Sequence, residues 1–144
     1  MSYVELHACS AFSFLRGASF PEELVETAAQ LNLPAVALCD HAGVYGAPRF
    51  FAAAKKQGVR PIIGSEVPME DGTVLPLLLE TRTGYQNLCR LLTRAHLRAP
   101  KGEGAVQWDE LAEFAEGLVA LTGQMLKAPS SKFQVPNKLQ VPSL

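Results

Sequence analysis

The chain has 144 residues, of which 48% are apolar and 19% are charged, and its formal net charge is −1. These values are ordinary for a globular protein with a hydrophobic core, and so small a charge does not steer the whole molecule to nucleic acid or to an anionic membrane. No apolar run approaches the roughly 20 residues that span a bilayer, so no membrane partner is expected. The three cysteines lack CxxC spacing, which indicates reduced thiols and a cytoplasmic location.

The first predicted strand carries three side chains that can bind a metal. It runs from Val4 to Cys9. Because side chains alternate along a strand, Glu5, His7 and Cys9 are expected on one face. Imidazole, thiolate and carboxylate are metal ligands, so this face is a candidate metal or acid/base site.

A helix and a second strand follow. Ser19-Phe20-Pro21-Glu22 has the S-x-x-E form of a capping box, and the helix that it predicts ends near Asn32 and Pro34. The apolar run 35–39 then leads directly into Asp40 and His41. The second predicted strand therefore also ends in candidate site residues.

The next helix and strand repeat this arrangement. The helix is predicted over 47–57, where Gly58 ends it, and the strand 61–65 leads into Glu66. Strands joined through helices lie parallel, with their C-terminal ends at one edge of the sheet. Active sites are built at this edge in parallel α/β proteins, so the three strand ends are expected to form one site.

The second half of the chain continues the α/β pattern. Asp71-Gly72 is a hairpin turn signal, Thr83 can cap a third helix, and 97–107 reads as a loop. A short helix over 108–115 and a buried strand over 117–122 complete the pattern. The predicted fold is α/β with mostly parallel strands.

Residues 124–144 differ in character from the rest. Lys132-Phe133-Gln134-Val135-Pro136 is nearly repeated six residues later, and no acidic residue follows Glu116. We interpret 124–144 as a low-complexity, disordered tail behind a domain that covers 1–123. A short binding motif in this segment is the alternative.

Several segments of 1–123 resemble the PHP (polymerase and histidinol phosphatase) family. These segments are 3–19, which contains His7-Ala8-Cys9 and Phe12-Ser13-Phe14-Leu15, then Cys39-Asp40-His41, Gly64-Ser65-Glu66, Gly84 to Leu91, Arg98 to Gly102, and Glu116 to Gly123. They occur in order and at the expected spacing, and their form is similar to the error-prone branch of the bacterial DNA polymerase III alpha subunits.

The resemblance implies a fold, a metal and site residues. Family members are irregular βα barrels that bind up to three metal ions and hydrolyse phosphoesters, so this chain is expected to be a partial barrel. His7, His41 and Glu66 match metal-ligand positions, and Asp40 matches a position that orients its neighbour. The metal would be zinc or manganese, and a metal pair can activate water for phosphoester hydrolysis.

Two departures from the family pattern weaken this site. Cys9 replaces the second histidine of a His-x-His motif, and a small buried thiol is the simpler interpretation of it, with zinc ligation as the alternative. Arg16 replaces an acidic ligand, and a guanidinium repels a nearby metal ion. The resemblance therefore predicts a depleted or absent metal site.

The preferred functional hypothesis is a truncated N-terminal PHP part of an error-prone polymerase, used in DNA replication and translesion repair synthesis. It cannot polymerise alone, because the paired carboxylates of a polymerase site are not available in it. DNA and replication or repair proteins would be partners of the full-length parent, and no partner is expected for the isolated chain. The alternatives are a free-standing metal-dependent PHP phosphoesterase and a non-enzymatic docking module for replication proteins.

Overall fold

The computed structural model describes residues 3–122, so the predicted tail over 124–144 lies outside the described residues. Five strands and four helices alternate along this part of the chain. They are β1 (Glu5–Ala8), α1 (Pro21–Gln30), β2 (Ala35–His41), α2 (Ala47–Gln57), β3 (Arg60–Pro68), β4 (Val74–Leu79), α3 (Arg82–Arg98), α4 (Trp108–Glu113) and β5 (Leu118–Ala120). None of these helices is long and apolar enough to cross a membrane.

The strands form one five-stranded sheet in the order β1-β2-β3-β4-β5, which is also their order in the chain. β1 and β2 are parallel, with Glu5 opposite Val36 and Ala8 opposite Leu38. This register advances three residues on one strand and two on the other, so β1 contains an irregularity within the segment that carries His7. The predicted α/β fold with a partial βα barrel is confirmed.

The chain divides into two compact units between Ser65 and Glu66, within β3. In the first unit, α1 and α2 pack against each other, and their apolar faces cover β2. The buried core of this unit is Val25, Ala28, Val36, Leu38, Phe50, Ala54 and Val59. Gly58 ends α2 in the left-handed conformation (φ 70°), as the sequence predicts.

In the second unit, α3 packs on β4 and β5. The start of α3 comes very close to the turn before β5, because a Cβ built on Gly84 would lie 2.0 Å from the carbonyl oxygen of Gly117. The Asn87 amide donates a hydrogen bond to the Glu116 carbonyl (3.0 Å) across the same contact. Two of the segments that carry the family resemblance therefore contact each other.

Three details of the second unit and of α1 differ from the sequence predictions. Phe20, and not Ser19, is the N-cap of α1, because the Ser19 carbonyl accepts a hydrogen bond from the Ala11 N–H (2.8 Å) instead. Thr81, and not Thr83, caps α3 by accepting from the Gly84 N–H (3.1 Å). β5 runs antiparallel to β4, whereas the sequence predicts mostly parallel strands.

Candidate functional site

Asp40, near the end of β2, is the centre of a buried polar network. Its side chain is 1% exposed. One carboxylate oxygen, Oδ1, accepts hydrogen bonds from the Ser10 N–H (2.9 Å), the Ser10 hydroxyl (2.8 Å) and the Ser13 hydroxyl (2.8 Å). The Ser10 hydroxyl also lies 3.0 Å from Oδ2. Charge-assisted hydrogen bonds of this kind compensate for the burial of a carboxylate.

This network fixes the loop between β1 and α1, residues 10–19, to the end of β2. Ser10 and Ser13 are both buried, and the Ser13 hydroxyl oxygen also accepts a hydrogen bond from the His41 N–H (2.9 Å). The loop is closed at its base by the Ala11 to Ser19 backbone hydrogen bond. Asp40 therefore determines the position of the loop relative to His41.

Ser65 fixes the turn after β2 from the other side. Its buried hydroxyl donates to the Asp40 carbonyl (2.9 Å) and accepts from the Gly43 N–H (3.1 Å). Between these contacts, Ala42 has a left-handed backbone conformation with φ 52°. Such a conformation is uncommon for alanine and is kept only where the surroundings enforce it.

His7 and Cys9 lie at the end of β1 and are half-buried. The His7 N–H donates to a carboxylate oxygen of Glu5 (2.8 Å), and the His7 Nε2 atom is enclosed by protein. A hydrogen bond from the Tyr3 hydroxyl is the main cause that holds the pKa of Glu5 below its usual value. The Glu5 carboxylate therefore already accepts hydrogen bonds from Tyr3, just before β1, and from His7, within it.

The structure brings some of the predicted site residues together and leaves others untested. Asp40 lies next to His41 and holds the loop that follows Cys9 through Ser10 and Ser13, and its role in orienting a metal ligand stays a prediction. Glu66 is half-buried on β3 and begins the second unit. The assignment of His7, His41 and Glu66 as metal ligands stays a prediction.

The candidate metal donors do not form one cluster in the part of the chain that the structure describes. Within residues 3–122, no group of three or more His, Cys, Asp or Glu side chains is arranged to hold a metal ion. Asp40 accepts hydrogen bonds from two serine hydroxyls, so its carboxylate serves the protein itself. Cys39 is buried, and its thiol donates to the Leu6 carbonyl (3.7 Å).

Sequence reasoning missed the three serines of the network. Ser10, Ser13 and Ser65 are 0%, 1% and 0% exposed. Their hydroxyls meet Asp40 from sequence distances of 25 to 30 residues. The sequence did contain a signal for two of them. Ser10 directly follows the first predicted strand and Ser65 is the last residue of the third, while Asp40 stands at the end of the second.

Arg49 connects α2 to the same loop at the surface. It makes two hydrogen bonds to the Glu22 carboxylate, at 2.6 and 3.0 Å, which hold the pKa of Glu22 below its usual value. Its guanidinium also lies over the rings of Phe12 and Phe20, 5.7 and 5.3 Å from their centroids. These contacts support both ends of the loop.

The family comparison matches residues 5–135 to the PHP domain. The chain is 45% identical over 120 residues to the error-prone DNA polymerase of Pseudomonas fluorescens, which covers 83% of this chain and 12% of that protein. It is 46% identical over 128 residues to the error-prone DNA polymerase of Mycobacterium bovis, covering 81% and 12%. It is 39% identical over 120 residues to that of Rhodopirellula baltica, covering 83% and 10%. The chain therefore spans about a tenth of the length of these relatives.

Two solved structures have similar folds. One is described as a metal-dependent phosphoesterase from Bifidobacterium adolescentis, with a TM-score of 0.55, 19% identity, and coverage of 78% of this chain and 49% of that one. The other is an amidohydrolase from Chromobacterium violaceum with bound sulfate and no metal, with a TM-score of 0.52, 26% identity, and coverage of 64% and 32%.

Proposed function

Because this chain belongs to the PHP domain family, we propose that it serves as the PHP part of an error-prone polymerase of the DNA polymerase III alpha type. The observation that carries this proposal is the 45% identity over 120 residues to an error-prone DNA polymerase. The work of such a polymerase is DNA replication and translesion repair synthesis. DNA and other replication or repair proteins are then partners of the longer polypeptide, and the location is the cytoplasm.

We further propose that this domain has a scaffolding role and no hydrolytic role. Asp40 uses its carboxylate to hold the loop 10–19, and Arg16 places a cation in that loop where the resemblance expects an acidic ligand. Cys9 stands where the resemblance expects histidine. These replacements support the proposal that a divalent metal binds weakly or not at all at His7, His41 and Glu66.

Polymerisation is assigned to the rest of the polypeptide. A two-metal nucleotidyl transfer needs clustered carboxylates, and residues 3–122 contain no cluster of that kind. The alternative, a free-standing phosphoesterase, is favoured by the fold shared with a protein described as a metal-dependent phosphoesterase. That similarity concerns the fold, so the alternative becomes an outcome of the test.

A graft into a relative tests the proposal. The 120-residue matched segment of the Pseudomonas fluorescens enzyme is replaced by the corresponding segment of this chain. We expect the graft to extend primers past a template lesion at a rate within about tenfold of the unmodified relative. We expect the isolated chain to extend no primer. An inactive graft, alongside an active unmodified relative, would contradict the proposal.

The isolated chain is tested for phosphoesterase activity in parallel. It is incubated with zinc or manganese and either bis-p-nitrophenyl phosphate or a single-stranded DNA with a labelled 3′ end. Turnover that disappears in His7→Ala and persists in Lys56→Ala, a change on the exposed surface of α2, would establish the phosphoesterase alternative. We expect the isolated chain and its His7→Ala and Lys56→Ala variants to hydrolyse both substrates at the same background rate.

A further inference from the structure

The loop 10–19 presents two large apolar side chains to solvent. Phe14 is 83% exposed and Leu15 is 89% exposed. They lie at the tip of a tight turn, in which the N–H groups of Arg16 and Gly17 both donate to the Ser13 carbonyl (2.9 and 3.0 Å). Exposed leucine and phenylalanine side by side form an apolar projection, which we call the Phe14-Leu15 tip.

The tip is held rigidly from behind. Ser10 and Ser13, which both precede the tip in the chain, are bound to the buried Asp40. Gly17 packs against the Ser10 backbone so closely that a Cβ there would lie 2.2 Å from the Ser10 carbonyl oxygen. Because the loop is pre-organised, little further ordering is needed when the tip binds a partner.

The backbone conformation of Leu15 is strained for a residue of its type. Its φ is 62°, in the left-handed region that glycine and asparagine adopt more readily than leucine. A glycine or asparagine would fit this turn position with less backbone strain. Within the domain the Leu15 side chain is almost fully exposed, so its burial does not offset that strain. Backbone strain of this kind is typical of binding sites.

The charged residues of the loop and of the adjoining helices favour a protein partner over a nucleic acid. Arg16 is the cation of the turn, and Arg49, which supports the loop, is paired with Glu22. Glu23 and Glu26 lie on the adjoining helix α1. Phosphate binding needs clustered, available cations, whereas an apolar tip with mixed charges around it suits an apolar protein pocket.

We propose that the Phe14-Leu15 tip docks into an apolar pocket of the polymerase region outside the PHP domain. This inference rests on the proposed function. This choice of partner rests on the comparison with an error-prone polymerase, in which the chain matches 12% of the length of that protein. Most of that polypeptide is therefore available to cover the tip. A second copy of this chain and single-stranded DNA are the other occupants that the experiment distinguishes.

The experiment measures hydrogen exchange over the loop by mass spectrometry, in the isolated chain and in the graft described above. We expect amides in 10–19 to exchange at least about tenfold more slowly in the graft, since docking excludes water from the tip. Leu15→Asn removes the apolar side chain and keeps a residue that tolerates the left-handed conformation. It should return the exchange in the graft to the rate of the isolated chain.

Leu31→Asn is the matched control. Leu31 is 65% exposed and lies at the other end of α1, roughly 15 Å along the helix. It should leave the exchange over 10–19 unchanged. Neither variant should lower the melting temperature of the isolated chain by more than a few degrees. A large drop with Leu15→Asn would mean that Leu15 packs within the domain and would overturn the proposal.

Other outcomes identify other occupants. Equal exchange in the graft and the isolated chain overturns the docking, and if the graft still polymerises, the proposed function stands. Protection in the isolated chain that increases with protein concentration assigns the tip to a second copy. Protection that requires added single-stranded DNA assigns it to nucleic acid. An inactive graft refutes the proposed function, whatever the exchange over the loop.

Discussion

Replacing Asp40 by alanine should be among the most destabilising single changes in the domain. The substitution leaves the Ser10 N–H and the hydroxyls of Ser10 and Ser13 without their acceptor, and Ser10 and Ser13 are buried. Hydrogen bonds to a charged group contribute about 1.5–3 kcal/mol each. These three share one acceptor and are not additive, and burying the carboxylate has its own cost.

We therefore expect Asp40→Ala to lower the free energy of unfolding by about 3–5 kcal/mol. Domains of this size have stabilities of about 5–15 kcal/mol, so much of the total would be lost. Urea unfolding followed by circular dichroism is the assay, and with a typical slope the midpoint should fall by roughly 2 M. Asp40→Asn should lower the free energy of unfolding by less than Asp40→Ala does, because an amide oxygen can still accept from one serine.

Asp71→Ala is the matched control for this experiment. Asp71 also accepts three hydrogen bonds, from the Thr73 N–H (2.9 Å), the Thr73 hydroxyl (2.7 Å) and the Trp108 indole (3.2 Å), but its side chain is exposed. Water can take the place of the exposed Asp71 carboxylate more readily than that of the buried Asp40, although Thr73 itself is buried, so a loss of about 1 kcal/mol, well below that of Asp40→Ala, is expected. If both alanine variants unfold at similar urea concentrations, burial does not determine how much the Asp40 network contributes to the free energy of unfolding, and the prediction is wrong.

Three further predictions concern other sites. Gly17→Ala should destabilise the chain by about 1–3 kcal/mol in urea unfolding, because the new methyl group collides with the Ser10 carbonyl. Glu110→Gln should destabilise the chain at pH 7 but much less at pH 3. Hydrogen bonds from Arg98 lower the pKa of Glu110 from 4.5. The contribution of the ionised Glu110 to stability is therefore complete above 4.5 and is lost as the pH falls through the lowered pKa. Isothermal titration with zinc should give no stoichiometric submicromolar site.

Each of these has a control or a contrary result. Gly58→Asn, at a left-handed position with no atom within 4 Å of a built Cβ, should be nearly neutral. A loss equal to that of Gly17→Ala would contradict the steric explanation. For Glu110→Gln, the same deficit at pH 3 and pH 7 would show that packing, and not charge, is responsible. A tight zinc site that disappears in His7→Ala would overturn the expectation of a weak or absent metal.

The sequence predicted the helices and strands wherever local signals determine them. The bounds of α2 agree residue by residue, since Gly58 supplies a left-handed end and an apolar stripe precedes it. The N-cap of α1 was misplaced by one residue, because the Ser19 carbonyl is committed to Ala11 on the far side of the loop. A local pattern cannot report a hydrogen bond formed across a loop.

The candidate site was predictable only in part, for the same reason. The sequence marked Asp40 as a residue of the site, and the structure shows it bound to Ser13, which in turn accepts from the His41 N–H. Its role in orienting a metal ligand stays a prediction. The serines were not marked, because hydrogen-bonded pairs 27 and 30 residues apart leave no periodic signal. The irregularity in β1 also breaks the strict alternation on which the predicted face of His7 depends.

The order of the strands has a consequence for how the chain folds during synthesis. Each strand of the sheet is hydrogen-bonded to the strand before it in the chain. Every new strand therefore finds its partner already made as the polypeptide leaves the ribosome, and none has to wait for a later segment to be inserted beside it. Sequence-local pairing of this kind lowers the entropy lost in loop closure and favours fast, N-to-C-terminal folding. The Asp40 network can close as soon as Ser65 has emerged, before most of the second unit is translated.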